Sequence, residues 1–510
     1  YGLSQGGTEK QQSCHNNDPR STGPAASFFP TSDGTMAQPA PKPEQTGAKV
    51  IPIQEASLYE AHRKIYARSV TGVFASWRWA LVWITQALFY GLCWLEWNGR
   101  QAVLFDIVER KFYVFGLVFW PQDVFYLAIL LIISALALFL FTAVAGRLFC
   151  GYACPQTVYT EIFMWVEKLI EGDRAARMKF DAAPMSAGKL GRKAAKHAAW
   201  AAIALWTGFT FVGYFTPIRT LTGSVMGWQL GPWETFWIFF YGFATWGNAG
   251  FMREQVCKYM CPYARFQGVM FDPDTLIVTY DAERGEPRGA RSKKADHRAA
   301  GKGDCVDCGI CVQVCPTGID IRNGLQYECI GCSACIDACD QVMDKMSYPR
   351  GLIRYSTEHA LAEHWGGKEI VRHILRPRTL LYGAILSAIV IAAAAGLTLR
   401  QPLKVDVIRD RATLAREVEG GLIENVYRLQ IMNLAEEPRR FALAVTGLQD
   451  IQIATEPIVE VPPAATQAVS VRVRVGPDAG KRGSNPIHFE VRALNHDDVF
   501  VREKASFLLP

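Results

Sequence analysis

CVDCGICVQVCPTGIDIRNGLQYECIGCSACIDAC, running from Cys305 to Cys339, decides how the rest of the chain is read. Cys305, Cys308, Cys311 and Cys315, followed by Pro316, give CxxCxxCxxxCP, and Cys329, Cys332, Cys335 and Cys339 repeat that spacing. Three cysteines at intervals of three wrap a tight loop around one cubane, while the fourth, beyond a short helical turn, reaches across to the other cluster. The expected ligand sets are therefore crossed. Cys305, Cys308, Cys311 and Cys339 form one, and Cys329, Cys332, Cys335 and Cys315 form the other. CxxC pairs also build structural zinc sites, but zinc takes four ligands and has no use for the third close cysteine. Two 4Fe–4S clusters in an α+β, bacterial-ferredoxin-like domain are the expectation. The second copy lacks the usual proline and has Asp340 there, a position that shapes the chain's exit and holds no metal.

The other cysteines sharpen this reading. Of 14, eight lie in that stretch, four form two pairs, and only Cys14 and Cys93 stand alone. A tight run of eight favours metal ligation in a reducing compartment, and the absence of any thiol after Cys339 excludes a disulfide framework for the tail. At 510 residues and 50% hydrophobic, the chain is long enough for several domains and too rich in apolar runs for one soluble core. Its net charge of +6 is modest, and the basic residues cluster beside hydrophobic runs, which points to membrane orientation and away from nucleic acid.

Five segments approach the length of about 20 apolar residues that a bilayer requires. They are Trp77 to Trp97, Val124 to Ala145, Ala198 to Phe215, Thr235 to Phe251 and Thr379 to Leu399. Arg63, Lys64, Arg68 and Arg78 lie at or before the first. Arg147, Lys168, Arg174, Arg177, Lys179, Lys189, Arg192, Lys193 and Lys196 lie between the second and third, whereas the loop from Thr216 to Pro232 holds only Arg219. Basic loops stay cytoplasmic. The expected order is a disordered segment over 1–55, four membrane helices within 56–251 and a cytoplasmic cluster domain over 252–378. A fifth membrane helix over 379–399 and an external domain over 400–510 complete it. The first stretch is rich in Pro, Gly, Ser, Gln and Asn, and Met36 within it is an ordinary-looking start, so no function is assigned there or to Cys14.

The tail alternates apolar and polar residues over Val426 to Leu434, Phe441 to Val445, Val469 to Val475 and Ile487 to Leu494. With turn signals at Pro462-Pro463, Gly476-Pro477 and Asn485-Pro486, about seven short strands are expected, an all-β immunoglobulin-like sandwich without the disulfide of antibody domains.

Two further pairs repeat one pentad, CxxxCP: Cys150 and Cys154 before Pro155, and Cys257 and Cys261 before Pro262. Positions four apart share a helix face, so each pair is expected to present two sulfurs together. A soft site of this kind suits Cu(I), zinc or an iron–sulfur centre. Packing at a helix end is the plainer reading of either pair alone, and their duplication at equivalent membrane exits favours function. Cys93 is expected to be core packing. No GxGxxG, no P-loop and no paired histidines within the spans are present, so electrons arrive from a separate, unidentified donor.

These residues resemble the cytochrome c oxidase accessory proteins, the CcoG/FixG/RdxA family. The resemblance runs from about Val50 to the C-terminus and rests on RLFCGYACPQTVY at Arg147 to Tyr159 and CKYMCPYARFQGVMFD at Cys257 to Asp272. CPTGIDIRNGLQYECIGCSACIDACDQVM from Cys315 to Met343 and YPRGLIRYST from Tyr348 to Thr357 extend it. It implies a multi-pass protein of the bacterial inner membrane with clusters inside and the sandwich in the periplasm. It also implies a role in assembling the copper-containing cbb3-type cytochrome oxidase, by cytoplasmic reduction of Cu(II) to Cu(I), alongside copper-transport and oxidase-assembly partners. On that reading the chain is a cupric reductase, with copper as substrate or as ligand of Cys150, Cys154, Cys257 and Cys261. The competing readings are a quinol-oxidising electron-transfer subunit similar to the NapH proteins and a scaffold whose clusters are structural.

Overall fold

The computed structural model describes residues 64–293, 299, 301–410, 415–495 and 498–510. The segment expected to be disordered, with Cys14 and Met36, lies outside them.

Helices occupy all five apolar segments, with boundaries that correct the sequence expectation in four. The first runs Val73–Gly91 and stops short of Trp97. Glu96–Trp97 instead pair with Arg100–Gln101 across Asn98 and Gly99, both at positive φ, 48° and 74°. Asn-Gly between short strands is the signature of a tight hairpin, which ends the helix. The second helix, Val124–Ala145, falls where expected. The third, Ala187–Val212, begins well before Ala198, because the Ser186 side chain caps it by accepting from the Lys189 amide and its first turns carry the basic residues. The fourth, Pro232–Gly247, is set by proline in its first turn, and Asn248–Met252 continue as a wider π turn. The fifth runs Pro377–Thr398.

Among the described residues, two helices are long and apolar enough to cross a membrane, Pro121–Ala145 with mean hydropathy 2.9 and Pro377–Thr398 with 2.3. They pack together, the Tyr126 hydroxyl donating to the Gly396 carbonyl at 2.9 Å. The other three are more polar or shorter: the first buries Arg78 and Gln86, the third starts basic, and the fourth has 16 residues. The third and fourth cross closely at Gly208, where an added Cβ would stand 2.2 Å from the Ile238 carbonyl oxygen. Small residues permit such approach.

A cysteine-rich α+β domain follows the fourth helix. Ile277–Tyr280 pairs antiparallel with Ile353–Ser356, and between these strands lie the helices Ile310–Val314 and Ala334–Met346. Its core is Val278, Ile321, Ile336, Met343, Leu352 and Ile353. One contact ties it to the Val73–Gly91 helix. The Asp337 carboxylate accepts from the amides of Phe74 at 3.2 Å and Ala75 at 2.7 Å, two of the orphan donors at the start of the first helix.

Among the described residues the tail is an all-β sandwich of nine strands, against about seven expected. One sheet orders 452–453, 466–475, 422–433 and 403–409, with 416–418 beside 422–433; the other orders 458–461, 439–446, 483–493 and 500–509. Tyr427, Phe441, Val471, Phe489 and Phe507 are fully buried between them. Asn425 joins the sheets, donating to the Leu508 carbonyl at 2.9 Å and accepting from its amide at 3.1 Å. A three-stranded meander, Val103–Asp106, Lys111–Val114 and Leu117–Phe119, was not anticipated. Its Val118 and the adjoining Trp120 pack on Met432 and Leu434 of the sandwich. Buried Asp123 pairs there with Arg400 and Lys404.

Candidate functional site

The two CxxCxxC loops are built alike. Each needs two left-handed residues at equivalent positions, Asp307 and Gly309 in the first and Gly331 and Ser333 in the second, with φ between 51° and 67°. These turns curl each loop back on itself so that its three thiols face inward. The Ile310–Val314 helix holds Cys311 and delivers Cys315 beyond its end, and the Ala334–Met346 helix holds Cys335 and Cys339 one turn apart.

The folding of these loops creates two small, apolar-walled cavities. Cys305, Cys308, Cys311 and Cys339 line one, with Tyr280, Met343 and Leu352. Cys315, Cys329, Cys332 and Cys335 line the other, together with Cys311 at the boundary. Among the described residues, no three His, Cys, Asp or Glu side chains converge tightly enough to hold one ion. A zinc site needs four donors at about 2.3 Å from its centre, so thiols set around a cavity suit a cluster better than a bare ion. Burial pushes the Cys329 and Cys339 thiols up to about 12, which leaves them neutral until bound cations offset the charge.

Each CxxxCP pair straddles a helix break, which corrects the expectation of one continuous helical face. Cys150 lies on the turn Leu148–Tyr152, whereas Cys154 is extended at φ −61°, ψ 129° and stands before Pro155–Glu171. Cys257 lies on Val256–Met260, and Cys261, at φ −80°, ψ 107°, stands before Pro262–Met270. Proline at the first helical position forces the residue before it out of the helical region. The four thiols nonetheless lie within electrostatic reach of one another. After burial, the largest influences raising the Cys257 thiol, to about 12, are the charges of Cys154, Cys150 and Cys261. Cys150 in turn responds to Cys154 and Cys261. Cys93 is fully buried among Val212, Ile218, Leu221 and Ile238, as a packing residue.

Residues that spacing did not single out hold this arrangement. The Gln267 side chain, fully buried, accepts from the Cys150 thiol at 3.3 Å. Arg147 donates to the carbonyls of Tyr327 and Ala264 and lies over the Tyr327 ring, tying both pentads to the cluster domain. A Cβ on Gly151 would stand 2.8 Å from the Cys332 Cα and 2.8 Å from the Ile330 oxygen. Only glycine allows that approach; its place inside the pentad was the available signal. Below the pentads, Glu167 accepts from Arg177 at 2.6 Å and faces Arg253 at 2.8 Å. Burial pushes its carboxyl up, but these cations outweigh burial and hold it below the usual range.

Comparison with known proteins agrees with this geometry. Residues 252–358 match a 4Fe-4S dicluster domain, residues 127–172 a 4Fe-4S binding domain, and residues 393–510 the IG-like fold at the C-terminal of FixG. The nitrogen fixation protein FixG of Rhizobium meliloti is 40% identical over 422 residues, covering 77% of this chain and 80% of that protein. Protein RdxA of Cereibacter sphaeroides is 40% identical over 439 residues, covering 84% and 92%, and protein RdxB of the same organism is 37% identical over 467 residues, covering 88% and 98%. Such identity over most of both chains, together with the two cysteine cavities and the β-sandwich, places this chain in the FixG/RdxA family of 4Fe–4S electron-transfer proteins.

Proposed function

We propose that this chain is a membrane-anchored iron–sulfur protein that reduces Cu(II) to Cu(I) during assembly of a cbb3-type cytochrome oxidase. The observation that carries the reading is the contact at Gly151: the Cys150–Cys154 pentad lies directly against the loop that holds Cys329 and Cys332. Cys305, Cys308, Cys311 and Cys339 hold one cluster in this reading, and Cys329, Cys332, Cys335 and Cys315 hold the other. Bound there, such clusters exchange single electrons. Cys150, Cys154, Cys257 and Cys261 receive Cu(II); one electron enters the ion, no bond to carbon or oxygen changes, and the thiolates favour the softer Cu(I) that results. Gln267 orients Cys150, and Arg147 keeps pentad and cluster loop in register.

The assay is direct. With clusters reduced by dithionite and excess reductant removed anaerobically, Cu(II) should restore the oxidised absorbance and yield Cu(I) to a chelator, one per electron. Clusters that stay reduced would end the proposal.

The membrane reading is five spans, with the N-terminus and clusters cytoplasmic and the sandwich periplasmic. The Val124–Ala145 helix supports it: the meander and sandwich adjoin its start, and the Arg147–Tyr152 segment at its other end packs on the cluster domain. A helix of 22 residues is about 33 Å long, enough for the hydrocarbon core. A reporter fused after Ser356 should therefore behave as cytoplasmic and one after Leu434 as external; an external signal at Ser356 reverses the orientation. The FixG-type tail at 393–510 counts against a NapH-like subunit as the whole protein and bears on kinship alone, apart from the choice of electron donor. Copper-transport and oxidase-assembly proteins are the partners this reading calls for.

A further inference from the structure

Beside the second cysteine cavity lies a cleft of about 490 Å³, between the start of the Val73–Gly91 helix and the Pro155–Glu171 helix. Its volume falls in the range of pockets that enclose a small organic molecule, roughly 300–1,000 Å³. Trp79, Trp83 and Trp165 wall it, and Trp83 and Trp165 also face outward, 66% and 45% exposed. Pro316 and Ala334, the neighbours of Cys315 and Cys335, form its back. Inside stands Arg78, 7% exposed, its guanidinium 3.7 Å from the Glu161 carboxylate and its buried Nε–H without a hydrogen-bond partner.

We infer that this cleft binds a membrane quinol, which is the electron donor the chain otherwise lacks. Aromatic walls at the membrane boundary suit a flat ring carrying an apolar tail. The Arg78 guanidinium, which lines the cleft, suits a ring oxygen, and Glu161 is the base beside it. A nicotinamide or flavin would need phosphate-binding features that the sequence lacks. The chemistry balances: both O–H bonds of the quinol break, two electrons leave one at a time toward the two clusters, and a quinone remains. One proton passes to the Glu161 carboxylate and the other to water at the polar rim, where Lys168 and Asp173 stand. Two Cu(II) ions then become two Cu(I). Only this last destination rests on the copper reading; binding at the cleft does not.

The test uses the full-length protein in nanodiscs, without oxygen, and decylubiquinone as probe. Quinones quench indole fluorescence, so the three tryptophans report occupancy. Wild type should show saturable quenching, and decylubiquinol should drive Cu(I) formation. Arg78→Leu, which removes the donor, and Ser76→Phe, which crowds an exposed position on the cleft wall, should each weaken quenching at least about tenfold and slow quinol-driven Cu(I) formation as much. Iron content and dithionite-driven Cu(I) formation should not change in Ser76→Phe, which answers the concern that Arg78→Leu disturbs folding. Quenching that never saturates, that both variants leave intact, or that phosphatidylglycerol competes away would overturn the assignment, the last naming a lipid as occupant. If decylubiquinol reduces the clusters and Cu(II) does not reoxidise them, the cleft assignment stands and the copper reading falls; if dithionite electrons reach Cu(II) and decylubiquinol neither quenches nor reduces, the cleft assignment falls alone.

Discussion

Cys150→Ser combined with Cys154→Ser should lower Cu(I) formation by at least about a hundredfold while the reduced-cluster EPR signal persists. Losing even an outer-shell partner of a metal typically costs 10–100-fold, and this double variant removes two soft donors outright. Serine is harder and far less acidic than cysteine, so the reduced ion is no longer favoured. The eight cysteines from Cys305 to Cys339 are untouched, so iron should stay at about eight atoms per chain, as two cubanes require. Cys257→Ser with Cys261→Ser should behave alike if the proposed four-thiol site is right, since the two pairs lie within electrostatic reach of each other. The 4Fe-4S binding match over 127–172 includes the first pair and sets the decisive control. About twelve irons in the wild type, falling to about eight in the variant, would make the pentads iron ligands. Unchanged copper reduction in both variants would return them to packing.

Cys332→Ala should be as severe at a different step. In the proposed ligand sets it removes one donor of the second, and a cubane with three protein ligands, packed against Gly151, is expected to be lost. Iron should fall from about eight to about four, one EPR component should disappear, and Cu(I) formation should drop to background, because the loop that contacts the pentad belongs to the lost cluster. The equivalent replacement in the first set, Cys308→Ala, should also halve the iron yet leave the contact at the pentads undisturbed, since Cys308 is exposed at the first loop. Full iron with full copper reduction in Cys332→Ala would remove this cluster from the route.

Several of these assignments depend on residues whose roles differ from their appearance in sequence. Arg147, Arg177, Lys189 and Lys196 count as cytoplasmic charges in the orientation argument, yet all four are buried. Arg177 and Lys196 neutralise Glu167 and Glu171 between helices. A charge count cannot separate these from free surface lysines, because burial depends on which helices pack together. The same holds for Asp337: inside SACIDAC it is one acidic residue among cysteines, and only folding places its carboxylate under the amides of Phe74 and Ala75, far away in sequence. The Asn98-Gly99 hairpin, by contrast, is encoded locally, by an Asn-Gly pair between two short strands.

By itself the sequence determined what local chemistry determines. Cysteine spacing marked the two loops, because a loop closed by three residues leaves little conformational choice. Period-two alternation marked the β tail, and uncharged length marked the helices Val124–Ala145 and Pro377–Thr398. Tertiary structure alone decided that the two CxxxCP pairs come within electrostatic reach of each other, that Gly151 sets the first against Cys332, and that Arg78 stands beside Glu161 in a tryptophan-walled cleft. Each of these joins segments separated by long stretches of chain, and such approaches are set by the packing of whole helices, which no local pattern encodes.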